Sequence, residues 1–194
     1  PIAFSNTQTG TTSAASTLTI TNATAGAPLH ISSVSISGTN ADQFIVSKNP
    51  VSPVINGTPT TIDVKFAPTS AGAKTATLNI YSDDPASPAT VAISGTGIVP
   101  VINVAGSPLA FGNVVVNSPS TASTLTISNT TVGAPLHITA VSISGTNADQ
   151  FSIVTSPVSP VVNGTPTTLS VKFKPTSSGA KSATLYIYSD DAAS

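Results

Sequence analysis

Apolar and polar residues alternate along most of this chain in stretches of five to nine residues. In 16–22 the apolar side chains are Leu18 and Ile20, and in 60–66 they are Ile62, Val64 and Phe66, each separated by a polar residue. A period of two is typical of strands with one buried face, and no segment shows helical spacing. The pattern predicts strands over 1–4, 16–22, 29–37, 43–47, 60–66, 74–82 and 90–95.

Turn-forming residues separate these stretches. The segment 49–59 carries three prolines and an Asn-Gly pair, which excludes a central strand. In 29–37 the apolar spacing slips by one residue at Ser32 and Ser33, which predicts a β-bulge. In 74–82 the pattern predicts that Asn79 points outward. Seven short strands with frequent turns predict an all-β fold, an immunoglobulin-like antiparallel β-sandwich.

The whole pattern occurs twice. Residues 1–87 align with 108–194 without a gap, and 60 of the 87 positions are identical. We therefore expect two tandem immunoglobulin-like domains, 1–97 and 98–194. The proline-containing segment 98–102 is interpreted as a short linker that becomes the first strand of the second domain. The differences cluster at 7–12 and 45–49, which we expect to be exposed loop or edge segments.

Each copy lacks a counterpart of one segment that is present beside the other copy. The second copy has no counterpart of the predicted last strand, 90–95, and the first has no counterpart of 101–107. Without its last strand the second domain would expose an unpaired sheet edge. Two explanations stay open: the sequence is a window of a longer chain, or a neighbouring subunit supplies the strand by β-augmentation, in which case the chain would form a homopolymer.

The charged residues of the chain argue against nucleic-acid binding. Charged residues make up only 7% of the chain, all of them Lys or Asp, and the net charge is −1. A chain without Arg or a basic patch is not expected to bind nucleic acid. No apolar run reaches the length of a membrane span. Cysteine and methionine are absent, and the absence of Met at position 1 indicates a processed or excerpted segment.

The two histidines are expected on the surface. His30 and His137 each stand between two inward-facing apolar residues and belong to different copies, so they cannot share a metal. Two acidic pairs are weak calcium candidates, because two carboxylates in one turn fall short of the six to eight oxygens that calcium needs. These candidates are Asp83, Asp84, Asp190 and Asp191. Capping of turns is the simpler interpretation.

Four asparagines fit the Asn-x-Thr glycosylation pattern, which is frequent by chance in a Thr-rich chain. They are Asn22, Asn56, Asn129 and Asn163. No nucleophile and base are placed together in both copies, and no phosphate-binding glycine loop is present. We expect no catalytic residues, no cofactor and no enzyme activity.

The motifs resemble the choice-of-anchor D repeats of bacterial surface proteins, which belong with the Hydin-like ASH domains and are related to the major sperm protein fold. The resemblance covers nearly the whole chain and is carried by 111–114, 123–129, 134–136, 143–151, 171–175, 179–181, 188–191 and 93–97. It implies an immunoglobulin-like sandwich that serves as scaffold or spacer. Many bacterial members carry a cysteine pair beside the Pro-rich loop, which this chain lacks.

Three functions remain open. The first is a structural repeat in the stalk or fibre of an extracellular prokaryotic protein, whose partners are neighbouring repeats or identical subunits. The second is an adhesin-type module that binds a glycan or protein through 7–12 and 45–49. The third is an accessory domain of a secreted enzyme. The composition, rich in Thr, Ser, Ala and Gly, favours an extracellular or cell-surface location.

Overall fold

The alternating segments form strands throughout the part of the chain that the structure describes. The computed structural model describes residues 1–192. Within them lie 14 strands: β1 (Ile2–Ala3), β2 (Thr7–Gln8), β3 (Ser16–Ile20), β4 (Ile31–Ser37), β5 (Phe44–Lys48), β6 (Thr60–Phe66), β7 (Gly72–Ser82), β8 (Ala89–Ile98), β9 (Ile102–Ala105), β10 (Ser123–Asn129), β11 (Ile138–Ser144), β12 (Phe151–Thr155), β13 (Thr167–Phe173) and β14 (Thr184–Ser189). The predicted all-β fold is confirmed.

The chain divides into two compact units, Pro1–Ile98 and Val99–Ser194, named here repeat 1 and repeat 2. In repeat 1, one sheet has the order β1-β8-β7-β4, with β2 also paired to β8, and the other has the order β3-β6-β5. The pairs β1–β8 and β2–β8 are parallel, whereas every other pair in this repeat is antiparallel. The predicted antiparallel sandwich thus carries a short parallel edge that the sequence pattern did not predict.

Repeat 2 distributes its strands differently. One sheet has the order β12-β13-β10-β9, and the other consists of β11 and β14 alone. Residues 108–111 were expected to form a strand like β1, but they do not. In repeat 1 the partner of β1 is β8, and no strand of residues 99–192 takes that place. The prediction fails because the partner is missing rather than because the local sequence differs.

Apolar side chains fill the space between the two sheets of each repeat. Phe66, Ile62 and Leu78 are fully buried in repeat 1 and lie in one cluster with Ile93 of β8. Three phenylalanine rings meet in each repeat; the centroids of Phe44 and Phe66 lie 4.9 Å apart. The corresponding rings of repeat 2 lie 4.7 Å apart.

The predicted bulge is present. The register of β4 against β7 shifts between Ile31 and Ser33, and the register of β11 against β14 shifts between Ile138 and Ala140. A bulge adds one residue to one strand, which returns the apolar side chains of β4 to the inner face after the slip in spacing.

One local prediction needs correction. Asn79 was expected on the exposed face, but it is only 9% exposed and its amide donates to Ser37 Oγ at 2.9 Å. In the turn at 38–42, Asn40 Oδ1 accepts a hydrogen bond from the distant Thr75 backbone N–H at 3.1 Å. A short 3₁₀ helix, Ala41–Gln43, follows, and it recurs as Ala148–Gln150. Among the described residues, no helix is long and apolar enough to cross a membrane.

Candidate functional site

The two repeats differ most at the position of β8. In repeat 1, β8 pairs with β7 from Gly72–Gly97 to Ile80–Ala89. Its other edge pairs with β1 and β2. In repeat 2, the counterpart of β7 is β14, which pairs with β11 on one edge. No strand of the described part of repeat 2 pairs with its other edge, so one sheet of this repeat is open.

The open edge also shortens the strand. β7 begins at Gly72, but β14 begins at Thr184, the counterpart of Thr77. The first five residues of β7, 72–76, pair with β8 and not with β4, whose pairing ends at Thr77. Their counterparts, 179–183, differ only by Ser182 in place of a threonine and form no strand. Pairing, and not propensity, decides where this strand begins.

A groove of about 1320 Å³ lies beside the open edge of repeat 2. Leu185 and Ile187 of β14 line it together with Phe173 of β13. The segment 107–116 lines it as well and contributes Leu109 and Phe111. Most of these side chains are aliphatic or aromatic, so the groove is a stretch of sandwich core that lacks one strand.

Burial of equivalent residues shows the effect of the missing strand. Leu78 is 0% exposed and Ile80 is 7% exposed, whereas Leu185 and Ile187 are only half-buried. Lys74 is buried and its ammonium group donates to Ser70 Oγ at 3.0 Å, whereas its counterpart, Lys181, is half-buried. Identical side chains therefore differ in exposure because one repeat has a strand beside them.

Two glycines allow β8 to approach the core of repeat 1. A Cβ atom at Gly95 would lie 2.6 Å from the Phe66 ring, and one at Gly97 would lie 2.3 Å from the Ser70 carbonyl oxygen. Both distances are shorter than real Cβ contacts, so no other residue fits without displacing the core. The two glycines lie in the segment 93–97, but their role was not predicted from the sequence. The signal was a Gly-x-Gly pair that continues the inward-facing positions of Val91 and Ile93.

The other sheet differs in the opposite sense, because here repeat 2 has the additional strand, β9. In repeat 2, β9 pairs with β10, and its first residue, Ile102, donates its backbone N–H to Asp191 Oδ2 at 2.6 Å. No strand within the described residues occupies this place in repeat 1. A smaller groove of about 380 Å³ lies there instead, lined by Leu18, Ile20 and Leu29 among others.

The four asparagines of the glycosylation pattern serve the fold. The Asn129 amide is 2% exposed and donates to the carbonyl oxygens of Ala134 at 2.6 Å and Val161 at 3.1 Å. The Asn163 amide donates to the Asn129 carbonyl at 3.0 Å. Asn22 and Asn56 make the corresponding bonds in repeat 1. A glycan would replace one of the two hydrogens on this nitrogen, so Asn22 and Asn129, whose amides each donate two bonds, could not keep both of them once glycosylated.

Both histidines lie on the surface and next to an aspartate. Asp83 Oδ1 accepts a hydrogen bond from the His30 backbone N–H at 2.9 Å. Asp190 Oδ1 accepts the equivalent bond from His137 at 2.7 Å, and the His137 ring nitrogen Nδ1 lies 2.8 Å from Asp190 Oδ2. The aspartates thereby join the start of one strand to the turn that follows its neighbour.

The second aspartate of each pair has a different partner. Asp84 Oδ1 accepts from the Ala86 backbone N–H at 2.7 Å, which is the turn capping expected from sequence. Asp191 instead binds the start of β9 and is only 8% exposed. Across residues 1–192, no three His, Cys, Asp or Glu side chains are grouped so that they could hold a metal ion.

Sequence comparison identifies the family. The ASH family, described as abnormal spindle-like microcephaly-associated, ASPM-SPD-2-Hydin, matches residues 1–90 and 100–194. This chain therefore belongs to the ASH family, and the predicted resemblance to Hydin-like ASH repeats is confirmed. The further resemblance to choice-of-anchor D repeats stays a prediction. No curated protein matches the sequence.

Solved structures give distant similarity only. The secreted serine protease VesC from Vibrio cholerae is 12% identical, with a TM-score of 0.38, over 97% of this chain and 49% of that one. The endo-fucoidan hydrolase MfFcnA4, from glycoside hydrolase family 107, is 14% identical, with a TM-score of 0.30, over 97% of this chain and 27% of that one. The chain spans about half of the first protein and about a quarter of the second.

Proposed function

We propose that this chain is a non-enzymatic structural repeat of an extracellular prokaryotic surface protein or fibre. Membership in the ASH family supports a structural immunoglobulin-like module. The proposal adds that such modules are joined in series, with neighbouring repeats or identical subunits as their partners. The few charges and the surface rich in Thr and Ser favour the outside of the cell.

The observation that carries the proposal is the segment 89–105. Its first part, β8, closes a sheet of repeat 1, and its last part, β9, opens a sheet of repeat 2. Only residues 99–101 separate the two strands. A closing strand that leads directly into an opening strand is a unit that repeats along an array, because each such segment completes one module and starts the next.

Electron microscopy and surface labelling of cells that produce the protein test this function. We expect antibodies against the chain to label intact cells, and we expect the native material to form fibres or extended stalks. A protein found only inside the cell, or one that remains a compact monomer in its native form, would contradict the proposal.

A binding module is the alternative function, and two surface features favour it. The variable segment 45–49 overlaps β5, an edge strand on which Ile45 is 46% exposed. In repeat 2, Tyr186 and Tyr188 lie 6.2 Å apart on one exposed face, an arrangement on which a sugar ring could stack.

Substitution separates the two functions. Replacing 45–49 with its counterpart 152–156, and replacing both tyrosines with serine, should abolish adhesion to a glycan or protein surface if the chain is an adhesin. Assembly into fibres should be unchanged in both variants. Unchanged adhesion would exclude the binding module.

A further inference from the structure

We propose that Asn56 and Asn163 are sites of spontaneous deamidation, and that this modification loosens the Pro-rich loops 49–59 and 156–166 from the strands beside them. Of the 12 asparagines in the chain, only these two precede a glycine, and they occupy the same position in the two repeats. Both residues are exposed. This chemistry applies to the chain whether or not its function is structural.

The reaction needs only water besides the protein. The backbone nitrogen of the glycine attacks Cγ of the asparagine, a new C–N bond closes a five-membered succinimide, and the bond from Cγ to Nδ2 breaks. The departing nitrogen takes up the glycine amide proton and leaves as ammonia. Water then adds to one of the two ring carbonyls and gives aspartate or isoaspartate, each with a free carboxylate. A glycine favours the first step because it has no side chain that hinders the approach of its nitrogen.

Each of the two asparagines belongs to a reciprocal pair of hydrogen bonds. In repeat 1, Asn56 Nδ2 donates to the Asn22 carbonyl oxygen at 2.9 Å, and Asn22 Nδ2 donates to the Val54 carbonyl oxygen at 3.0 Å. In repeat 2 the corresponding bonds measure 3.0 Å from Asn163 and 3.1 Å from Asn129. The reciprocal pair therefore fastens each Pro-rich loop to the chain at the end of β3 or β10.

The turn around Asn56 keeps it from reacting while the loop is closed. The Thr58 backbone N–H donates to the Ile55 carbonyl oxygen at 3.0 Å. Gly57 has a φ of +80°, whereas Asn56 does not have a positive φ, and this combination defines a type II turn. Ring closure requires the Gly57 nitrogen on the same side of the Asn56 Cα–C bond as Cβ, but a type II turn rotates that nitrogen away. The turn must therefore open before the nitrogen reaches Cγ.

The product cannot restore the reciprocal pair. A carboxylate at position 56 has no hydrogen to donate, so it would face the Asn22 carbonyl oxygen as a second acceptor. Isoaspartate also adds one methylene group to the backbone of the loop. The bond from the Val54 N–H to the Leu29 carbonyl oxygen, 2.8 Å long, is the next attachment of the loop and should weaken. Each conversion adds one negative charge, so modification at both sites would change the net charge from −1 to −3.

Mass spectrometry of the full chain tests the sites. The chain is incubated at mildly alkaline pH beside synthetic peptides of residues 52–60 and 159–167, and modified residues are located by peptide mapping. We expect Asn56 and Asn163 to react before the other ten asparagines. Each should react at least about fivefold more slowly in the folded chain than in its peptide, the factor that corresponds to one hydrogen bond. In concentrated urea the chain and the peptides should react at the same rate.

Substitution tests the effect on the loop. Asn56→Asp supplies the product carboxylate directly. Asn49→Asp is the matched control, because it places the same charge in the same loop at an exposed residue outside the reciprocal pair. We expect amide hydrogen exchange at Val54 to be about fivefold faster in Asn56→Asp and unchanged in Asn49→Asp.

Several results would overturn the proposal. They are modification of another asparagine first, equal rates in the folded chain and the peptides, or the same exchange rate at Val54 in the two variants. A chain that stays unmodified at both sites while the peptides react would overturn it as well. Fibres on cells together with any of these results would leave the proposed function standing.

Discussion

The two repeats have 60 of 87 aligned residues in common, yet their cores are closed on opposite sides. Leu78 is fully buried while its counterpart Leu185 is half-exposed to the groove, and Asn129 is 2% exposed while its counterpart Asn22 is only half-buried. Each difference follows from one strand, β8 for the first pair and β9 for the second. In this fold, burial is set by which strands are supplied, and the local sequence is secondary.

The comparison also indicates what a complete module contains. An opening strand like β9 completes one sheet, and a closing strand like β8 completes the other. Neither repeat has both strands within residues 1–192, although each strand occurs once. The sharpest tests therefore change equivalent residues in both repeats. The loss of unfolding free energy should be larger in the repeat where β8 or β9 covers the changed residue.

The largest effect is expected at the phenylalanine that β8 covers. Phe66→Ala should cost about 3–5 kcal/mol of unfolding free energy in repeat 1, because the ring is fully buried and its removal leaves a closed cavity. Phe173→Ala should cost less, about 2–3 kcal/mol, because the space opens into the groove. Denaturant unfolding with hydrogen exchange resolved by repeat measures both. Equal losses would contradict the comparison.

The next-largest effect is expected at an asparagine, and here the loss of stability should be larger in repeat 2 than in repeat 1. Asn129→Ala should cost about 2–3 kcal/mol, since it removes two buried hydrogen bonds, those to the carbonyl oxygens of Ala134 and Val161, of which Val161 keeps only the Leu136 backbone N–H as donor. Asn22→Ala should cost about 1 kcal/mol, because water reaches the same groups in repeat 1. The same unfolding experiment measures both losses. A larger loss for Asn22 would show that β9 does not protect this site.

A moderate effect is expected at the strand itself. Gly95→Ala in the full chain should cost about 1–3 kcal/mol, because the added methyl group overlaps the Phe66 ring. Thr90→Ala on the exposed side of β8 is the control and should change stability by less than about 0.5 kcal/mol. If the two variants have the same melting temperature, β8 does not pack against the Phe66 ring as closely as these distances indicate.

The smallest effect is expected at the surface pair. His137→Ala removes the ring that lies 2.8 Å from Asp190, and His30→Ala is the matched change in repeat 1. Exposed pairs contribute little, so each variant should lose less than about 0.5 kcal/mol. The backbone N–H bonds to the aspartates remain in both variants. A loss above 1 kcal/mol in thermal unfolding would show that the His137 ring is part of the fold's support.

Sequence periodicity was sufficient for most strands and for the bulge at Ser32 and Ser33, because both depend on side chains that must face one core. It was insufficient where pairing decides the structure. Residues 179–183 have nearly the sequence of 72–76 and form no strand, because no strand within residues 1–192 pairs with them. The parallel pairing of β1 and the burial of Asn79 also depend on neighbours distant in sequence.

The candidate site was visible in the sequence only in part. Alignment of the two copies showed that the second has no counterpart of 90–95, and within residues 1–192 no strand pairs with that edge of β14. The role of Gly95 and Gly97 was not foreseen, because it depends on their distances to Phe66 and Ser70. A Gly-x-Gly pair inside an alternating strand is the feature to look for in such repeats.

Amide hydrogen exchange of the unmodified chain tests the central claim most directly. The measurement compares residues 72–76, which pair with β8, with their counterparts 179–183. We predict strong protection in the first segment and exchange close to that of an unstructured peptide in the second. Equal protection of the two segments in a monomeric protein would contradict the claim that no strand of residues 1–192 pairs with 179–183.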